Sequence, residues 1–279
     1  MLNQLRTLSR YLSTFGFFTG LRWYTIRWAD SRGFLSRSTV TISVKRLQHP
    51  LTARTKGSSD LDVFDEIFVK GELGFLSRLK RQPSPRLVID LGANVGCASA
   101  VFLNVFPDSF VLAVEPDPQN AAMCRSNLSP YKDRVHVVEG AVWYKSTPLV
   151  LSRGTFGDGR EWATEVREAQ PGEHSDVVGL DMQSILRLCP AHTDIDLLKI
   201  DIEGSETTLF CADADEWLHC VRNICIEVHG SEGHLALLTA LKNCEYEYFT
   251  YGQYTLCLDL KQKCAESDRP RNEALTKRL

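Results

Sequence analysis

Apolar residues fall along this chain in two rhythms. Near the start Leu2, Leu5, Leu8, Leu12, Phe15 and Phe18 recur at three- and four-residue steps, with Arg6, Ser9, Arg10 and Ser13 between them, which predicts an amphipathic helix. Thr39-Val40-Thr41-Ile42-Ser43-Val44 alternates and predicts a half-buried strand. Ser59-Asp60-Leu61-Asp62 opens a helix through about Val69, with Ser59 and Asp62 as a capping box and Val63, Phe64, Ile67 and Phe68 as its apolar face. From Arg86 onward the pattern changes to short continuous apolar runs, at 87–91, 110–115, 135–139, 195–200 and 224–230, separated by stretches of helical length such as 118–128. That alternation predicts an α/β fold, a parallel sheet with helices on both faces.

Residues 144–179 interrupt the rhythm. Pro148–Leu151 and Val177–Leu180 read as strands, whereas Gly154–Gly172, carrying Arg160, Glu161 and Trp162, reads as a binding loop or lid. Tyr246–Tyr251 and Tyr254–Leu260 flank Gly252-Gln253 as a β-hairpin, and a polar tail follows from Lys261.

The first apolar run of the sheet runs straight into chemistry. Asp90, Gly92, Ala93, Asn94 and Gly96 form a strand-to-helix turn that is the expected cofactor seat: Gly92 permits unusual backbone angles and Gly96 lets the helix N-terminus approach the ligand. The next strand ends in Glu115, placed to accept hydrogen bonds from two ribose hydroxyls. The third ends in Glu139-Gly140-Ala141, whose backbone faces the adenine edge if ligands lie at the carboxyl ends of the strands. Only two glycines are present where a dinucleotide fold carries three, and no Walker lysine follows. A cofactor with a ribose but no phosphate fits better than NAD, and S-adenosylmethionine is the expected one. Further on, Asp201 pairs with Glu203 and Glu227 with His229 at two-residue spacing. If their strands are neighbours, these groups gather beside the cofactor turn, to hold a sulfonium, accept a proton from a substrate or bind a divalent ion.

Charge is uneven. The chain of 279 residues has a net charge of −3, yet the stretch up to Asp60 carries +8, leaving the remainder near −11. A basic N-terminal extension (1–50) thus precedes an acidic catalytic body (51–260) and a polar tail (261–279). An acidic body argues against nucleic acid as partner. Nine cysteines without a C-x-x-C pair argue against a zinc site or a disulfide framework and read as reduced core residues. Arg10, Arg22 and Arg27 interrupt the apolar patches of residues 2–28, so no membrane span is expected and the protein is placed in the cytoplasm. The reading preferred for this basic helix is packing against the body or a second copy, as a homo-oligomer; peripheral contact with the anionic inner face of a membrane through residues 1–28 is the other.

Val88–Gly96, Val114-Glu115-Pro116, Asp196–Glu206 and Ile226–His229, together with Ser59–Phe64 and Ile67-Phe68, resemble the FkbM-type methyltransferase family over about residues 55–258. The resemblance implies a class I, Rossmann-like sheet of seven strands with an antiparallel last pair. It also implies S-adenosylmethionine as methyl donor and an oxygen acceptor on a sugar, glycolipid or polyketide-type product. On that reading Asp201 or His229 takes the acceptor proton, with Glu203 orienting the acceptor or supporting Asp201. The rival from another class is a binding or scaffold protein that keeps the fold without catalysis.

Overall fold

A computed structural model of the chain describes residues 2–35, 38–55, 58–79, 83–152, 165–190, 194–211 and 214–263. The N-terminal apolar pattern folds as two helices rather than one. α1 (Leu2–Phe15) and α2 (Phe17–Asp30) form a hairpin about Gly16, whose φ of 84° breaks the first helix, so Phe18 belongs to the second. The helices touch at Gly20, where a Cβ would stand 2.5 Å from the Tyr11 carbonyl oxygen. Tyr11, Phe15, Trp23 and Ile26 are buried and join the core of the main body. One carboxylate pins the hairpin there: Asp65 accepts from the Tyr11 hydroxyl at 2.9 Å and the Trp23 indole at 2.8 Å, and pairs with Arg27 at 3.0 Å.

β1 (Thr39–Ile42) and β2 (Leu51–Arg54) pair antiparallel in a ribbon that spans residue 50. α3 (Asp60–Phe64) starts where expected, but the Ser59 side chain makes no capping bond; its backbone carbonyl accepts from Asp62 and Val63 instead. Asp60 is fully buried beneath Arg54, with Nη2 to Oδ1 at 2.7 Å and Nε to Oδ2 at 3.0 Å. Nor does a regular helix continue to Val69. The chain widens into a π-turn over Asp65–Lys70, stops at Gly71, and passes through a 3₁₀ turn (Glu72–Phe75) to α4 (Leu76–Leu79).

The body then alternates as predicted: β3 (Leu87–Leu91), α5 (Cys97–Val105), β4 (Phe110–Glu115), α6 (Pro118–Leu128) and β5 (Val135–Glu139). Next come β6 (Ala141–Val142), β7 (Pro148–Ser152), β8 (Glu165–Glu168), β9 (Val177–Leu180) and α7 (Met182–Leu186). The chain closes with β10 (Leu197–Ile200), α8 (Glu206–Cys211), α9 (Asp215–Leu218), β11 (Ile224–Glu227), α10 (Gly230–Ala240), β12 (Cys244–Tyr251) and β13 (Tyr254–Gln262).

The main sheet has seven strands in the order β12-β13-β11-β10-β3-β4-β5. β11, β10, β3, β4 and β5 are parallel, and the β12–β13 hairpin closes the edge antiparallel, giving the Rossmann-like α/β sheet. Both faces are covered: Val88, Val111 and Leu197 enter one apolar core, while Leu87, Ile89, Leu112 and Leu198 enter the other. After β3 the chain proceeds outward through β4 and β5, then returns to lay β10 on the other side of β3. The switch point between β3 and β10 is where open sheets of this kind bind ligands.

A second sheet of four strands, β6-β9-β7-β8, sits beyond β5 in the chain. Here the expected loop Gly154–Gly172 is corrected in part, because Glu165–Glu168 is strand β8 on β7. Glu-Val-Arg-Glu offers only one apolar residue, and its strand character comes from the partner rather than from its own pattern. Arg160, Glu161 and Trp162 lie outside the described residues.

The close helix contact at Gly20 yields a stability test. Gly20→Val forces α1 away from α2 and lowers unfolding stability by about 1–3 kcal/mol, the usual cost of overpacking, as read by denaturant titration; an unchanged midpoint would show that the hairpin does not pack this way.

Candidate active site

The carboxyl ends of β3, β4, β10 and β11 meet over a cavity of about 330 Å³, within the range of small-molecule sites. Gly92, at φ 78°, turns the chain out of β3, and a Cβ there would run into the carbonyl of Asp201 at the exit of β10. Asn94 follows in the left-handed region at φ 51°, its side chain accepting from the Val95 N–H at 2.7 Å. The Asn94 backbone N–H in turn donates to Glu115 Oε2 at 2.8 Å. Glu115 Oε1 accepts from the Asp117 N–H at 3.0 Å and the Asn120 amide at 3.2 Å. A carboxylate has about four acceptor positions, so this buried group retains capacity toward the cavity it lines. Burial pushes its pKa up to about 7, against the pull of the Asp117 and Asn94 N–H groups.

Beneath the turn lies a buried ion triad. Lys199 on β10 stands opposite Asp90 on β3 in the parallel register. Its ammonium lies 3.1 Å from Asp90 Oδ1 and 3.3 Å from Asp201 Oδ2, and donates to the Gly92 carbonyl at 2.8 Å. Burial acts to lower the Lys199 pKa, but Asp90 and Asp201 outweigh it and the net shift is upward, so the cation persists. Asp90 is wholly buried, takes the Ser99 hydroxyl at 2.7 Å, and supports the turn from below rather than lining the cavity.

The opposite wall is the carboxylate–imidazole cluster. β10 and β11 are neighbours, the condition for the two pairs to meet, but β10 ends just before Asp201 and β11 ends at Glu227, short of His229. Turns finish the job: Glu203 sits at φ 48° ahead of Gly204 at φ 93°, an unfavourable conformation of the kind found at functional sites. His229 Nδ1 lies 2.9 Å from Glu206 Oε1, and Nε2 lies 3.4 Å from Glu203 and 3.7 Å from Glu227. Burial acts to lower the His229 pKa, but the bond to Glu206 and the charge of Glu203 prevail and raise it. Both ring nitrogens face carboxylates. Burial and then Asp201 push Glu203 up to about 7 and raise Glu227 as well. One ligand atom from each of Asp201, Glu227 and His229 lies within 4.8 Å of the others, so this trio is also spaced to share a divalent cation.

Of the residues expected at the cofactor seat, Gly92, Ala93, Asn94, Glu115, Gly140 and Ala141 line the cavity. Gly96 does not: a Cβ there would press on Cys124 and Leu128, so this glycine lets α5 pack on α6. Glu139 does not either, because it closes an edge strand and pairs with Arg125 at 3.1 Å. Four groups escaped the sequence reading. Lys199 announced itself only as a charge inside an apolar strand, and Glu206 as part of the acidic turn. Glu66 and Glu72 come from a segment far upstream and carried no signal; burial and then Glu66 push Glu72 up to about 7. Among the described residues six carboxylates line the cavity: Glu66, Glu72, Glu115, Asp201, Glu203 and Glu227. The one lysine there is spent on Asp90, Asp201 and Gly92, so the site suits a cationic ligand and repels a polyphosphate.

Strand order, glycine turn and acid-ended second strand together define a class I methyltransferase fold. Within that class the chain belongs to the methyltransferase FkbM domain family, whose profile matches residues 90–248. Among curated proteins it is similar to the 2-O-methyltransferase NoeI of Sinorhizobium fredii (strain NBRC 101917 / NGR234), with 28% identity over 167 residues, 55% of this chain and 67% of that one. Similar solved structures include the O-methyltransferase TomG of Streptomyces achromogenes in complex with S-adenosylmethionine, 14% identical, TM-score 0.41, covering 69% of this chain and 80% of that one. The precorrin-6y C5,15-methyltransferase of Geobacter metallireducens GS-15 is 14% identical, TM-score 0.41, covering 70% and 89%.

Lys199→Met leaves the Asp90 carboxylate buried without its counter-charge and costs about 3–5 kcal/mol of stability in guanidinium titration. Adding Asp90→Asn recovers a large part; a mild loss in the single variant would mean that the triad is not buried as described. Glu115 gives a pH signature. Its folded pKa, about 7, lies above the ordinary 4.5, so the stability it contributes is fully present below pH 4.5 and is lost as pH rises to about 7. The difference in unfolding free energy between wild type and Glu115→Gln should fall across that window and level off above it; a flat difference would remove the perturbed carboxyl.

Proposed function

We propose that this chain is an S-adenosylmethionine-dependent O-methyltransferase acting on a hydroxyl of a sugar, a glycolipid or a related natural product. The observation that carries the reading is one cavity with Glu115 on one side and Asp201 on the other, lined by acids and holding no free cation among its described residues. That donor set fits the cofactor: the one acceptor position left on Glu115 can take a ribose hydroxyl, and the surrounding carboxylates match an amine and a sulfonium. Gly92, Ala93 and Asn94 would bound the amino-acid side, and Gly140 and Ala141 the base. When bound, S-adenosylmethionine supplies a methyl group already activated toward displacement by a nucleophile.

The residues of the chain do the rest. A sugar hydroxyl is a weak nucleophile, and Asp201, steadied by Lys199, would take its proton as the methyl passes to oxygen and its bond to sulfur breaks. His229 is an unsuitable acceptor because both nitrogens already face carboxylates, so it orients Glu203 and Glu227 instead. Val63, Ile67, Val166 and Tyr254 close the apolar walls and exclude water from the transfer. The name of the relative NoeI, a 2-O-methyltransferase, supports an oxygen acceptor.

Isothermal titration of the full chain with S-adenosylmethionine tests the cofactor, and absence of binding would overturn the proposal in favour of a silent fold. Glu115→Ala weakens that binding at least about tenfold through loss of the ribose contacts. Asp201→Asn keeps affinity but lowers turnover by about 10²–10⁴; full activity in that variant would discard the base. Mass spectrometry of glycolipids from a deletion strain, searching for a species lacking one methyl group, identifies the acceptor.

A further inference from the structure

We propose that the outer face of the α1–α2 hairpin is a docking surface for an anionic lipid bilayer. Its inner face is complete: Tyr11, Phe15, Trp23 and Ile26 are buried, and Arg27 is turned inward onto Asp62 and Asp65. The outer face is exposed, yet it is strongly apolar. Among the described residues thirteen large apolar side chains are exposed, and six of them, Leu5, Phe17, Phe18, Leu21, Trp28 and Phe34, fall within the first 35 positions. Phe18 is 85% exposed, Phe34 66% and Phe17 64%, at the tip and the far end of the hairpin. On α2, Phe18, Leu21, Thr25 and Trp28 follow at three- and four-residue steps, so they share one flank.

Charge selects the occupant. Arg6, Arg10, Arg22 and Arg32 are exposed on the hairpin and its exit, while Asp30 is the sole acid between Leu2 and Leu35. The Arg32 guanidinium stacks 4.4 Å above the Trp28 ring, and Phe34 lies 5.9 Å from the same ring. Aromatic side chains set among arginines on a convex helix surface suit the boundary of hydrocarbon and phosphate, where Trp and Arg both partition. A second copy of the chain is a poor fit, since apposing two such faces brings four arginines against four. Docking through this face also positions the cavity. Asp65, which anchors the hairpin, is followed by Glu66 and Ile67 in the cavity wall, so the bilayer lies beside the site whatever its acceptor.

The test is co-sedimentation of the full chain with vesicles of phosphatidylcholine alone and of phosphatidylcholine mixed equally with phosphatidylglycerol. Partitioning to the anionic mixture should be at least about tenfold stronger and should weaken with salt. The triple variant Phe17→Ser/Phe18→Ser/Leu21→Ser and, separately, Arg6→Glu/Arg10→Glu/Arg22→Glu should each lose at least about tenfold, with thermal unfolding unchanged. Should the triple variants fail to fold, brominated acyl chains read the contact in the wild type: they quench tryptophan fluorescence, and Trp28→Phe removes most of that quenching. Failure of the wild type to bind anionic vesicles at low salt, binding unchanged by both triple variants, or a wild-type dimer that the serine variant dissociates would each overturn the proposal.

Discussion

A lysine ammonium cut off from water holds this site together. The Lys199 ammonium donates to the Gly92 carbonyl and is held by charge between the Asp90 and Asp201 carboxylates. Burying these charges is costly, and the geometry offsets the cost only because every partner belongs to a rigid strand end. The gain is positional. Gly92 opens the turn after β3 and Asp201 follows the end of β10, and one cation fixes the distance between them. The absent Cβ at Gly92 serves the same end, letting the two backbones lie against each other.

With that cation committed, the cavity is left strongly acidic, which shapes everything else in it. Glu203 and Glu227 cannot both be ionised beside Asp201 without help, and His229 provides it from the centre of the cluster. Glu206, wholly buried, fixes the imidazole by its other nitrogen. An arriving cation relieves the same repulsion. Ligand binding and charge balance are therefore one problem, and the unfavourable backbone at Glu203 is the conformational cost of aiming a carboxylate at that point.

How much of this could be read from the chain depended on whether a residue's neighbours were local. The five parallel strands were legible because a strand covered on both faces is a continuous apolar run. Glu115 and Asp201 were legible because an acid at the end of such a run has few structural excuses. Glu139 looked equivalent and is not: it sits level with Glu115 in the register, but β5 is the edge of the sheet, so its carboxylate meets Arg125 near solvent. Gly96 carried the right residue type for a reason of packing. Strand β8 and the acids Glu66 and Glu72 were hidden for a common cause, since each takes its role from a partner distant in sequence.

The π-turn at Asp65–Lys70 shows what that distance accomplishes. Widening a helix by one residue rotates the side chains that follow, and such turns recur at functional sites. Here the turn separates two faces of a single segment. Asp65 points to Tyr11, Trp23 and Arg27 of the hairpin, while Glu66 and Ile67 point into the cavity. The hairpin and the cavity wall are consequently one mechanical piece. A displacement of α1 and α2 that keeps the Asp65 bonds must carry Glu66 and Ile67 with it, and one that breaks them leaves a buried carboxylate stripped of its donors. The second is expensive in a residue whose pKa burial already raises, so the wall moves with the hairpin or not at all.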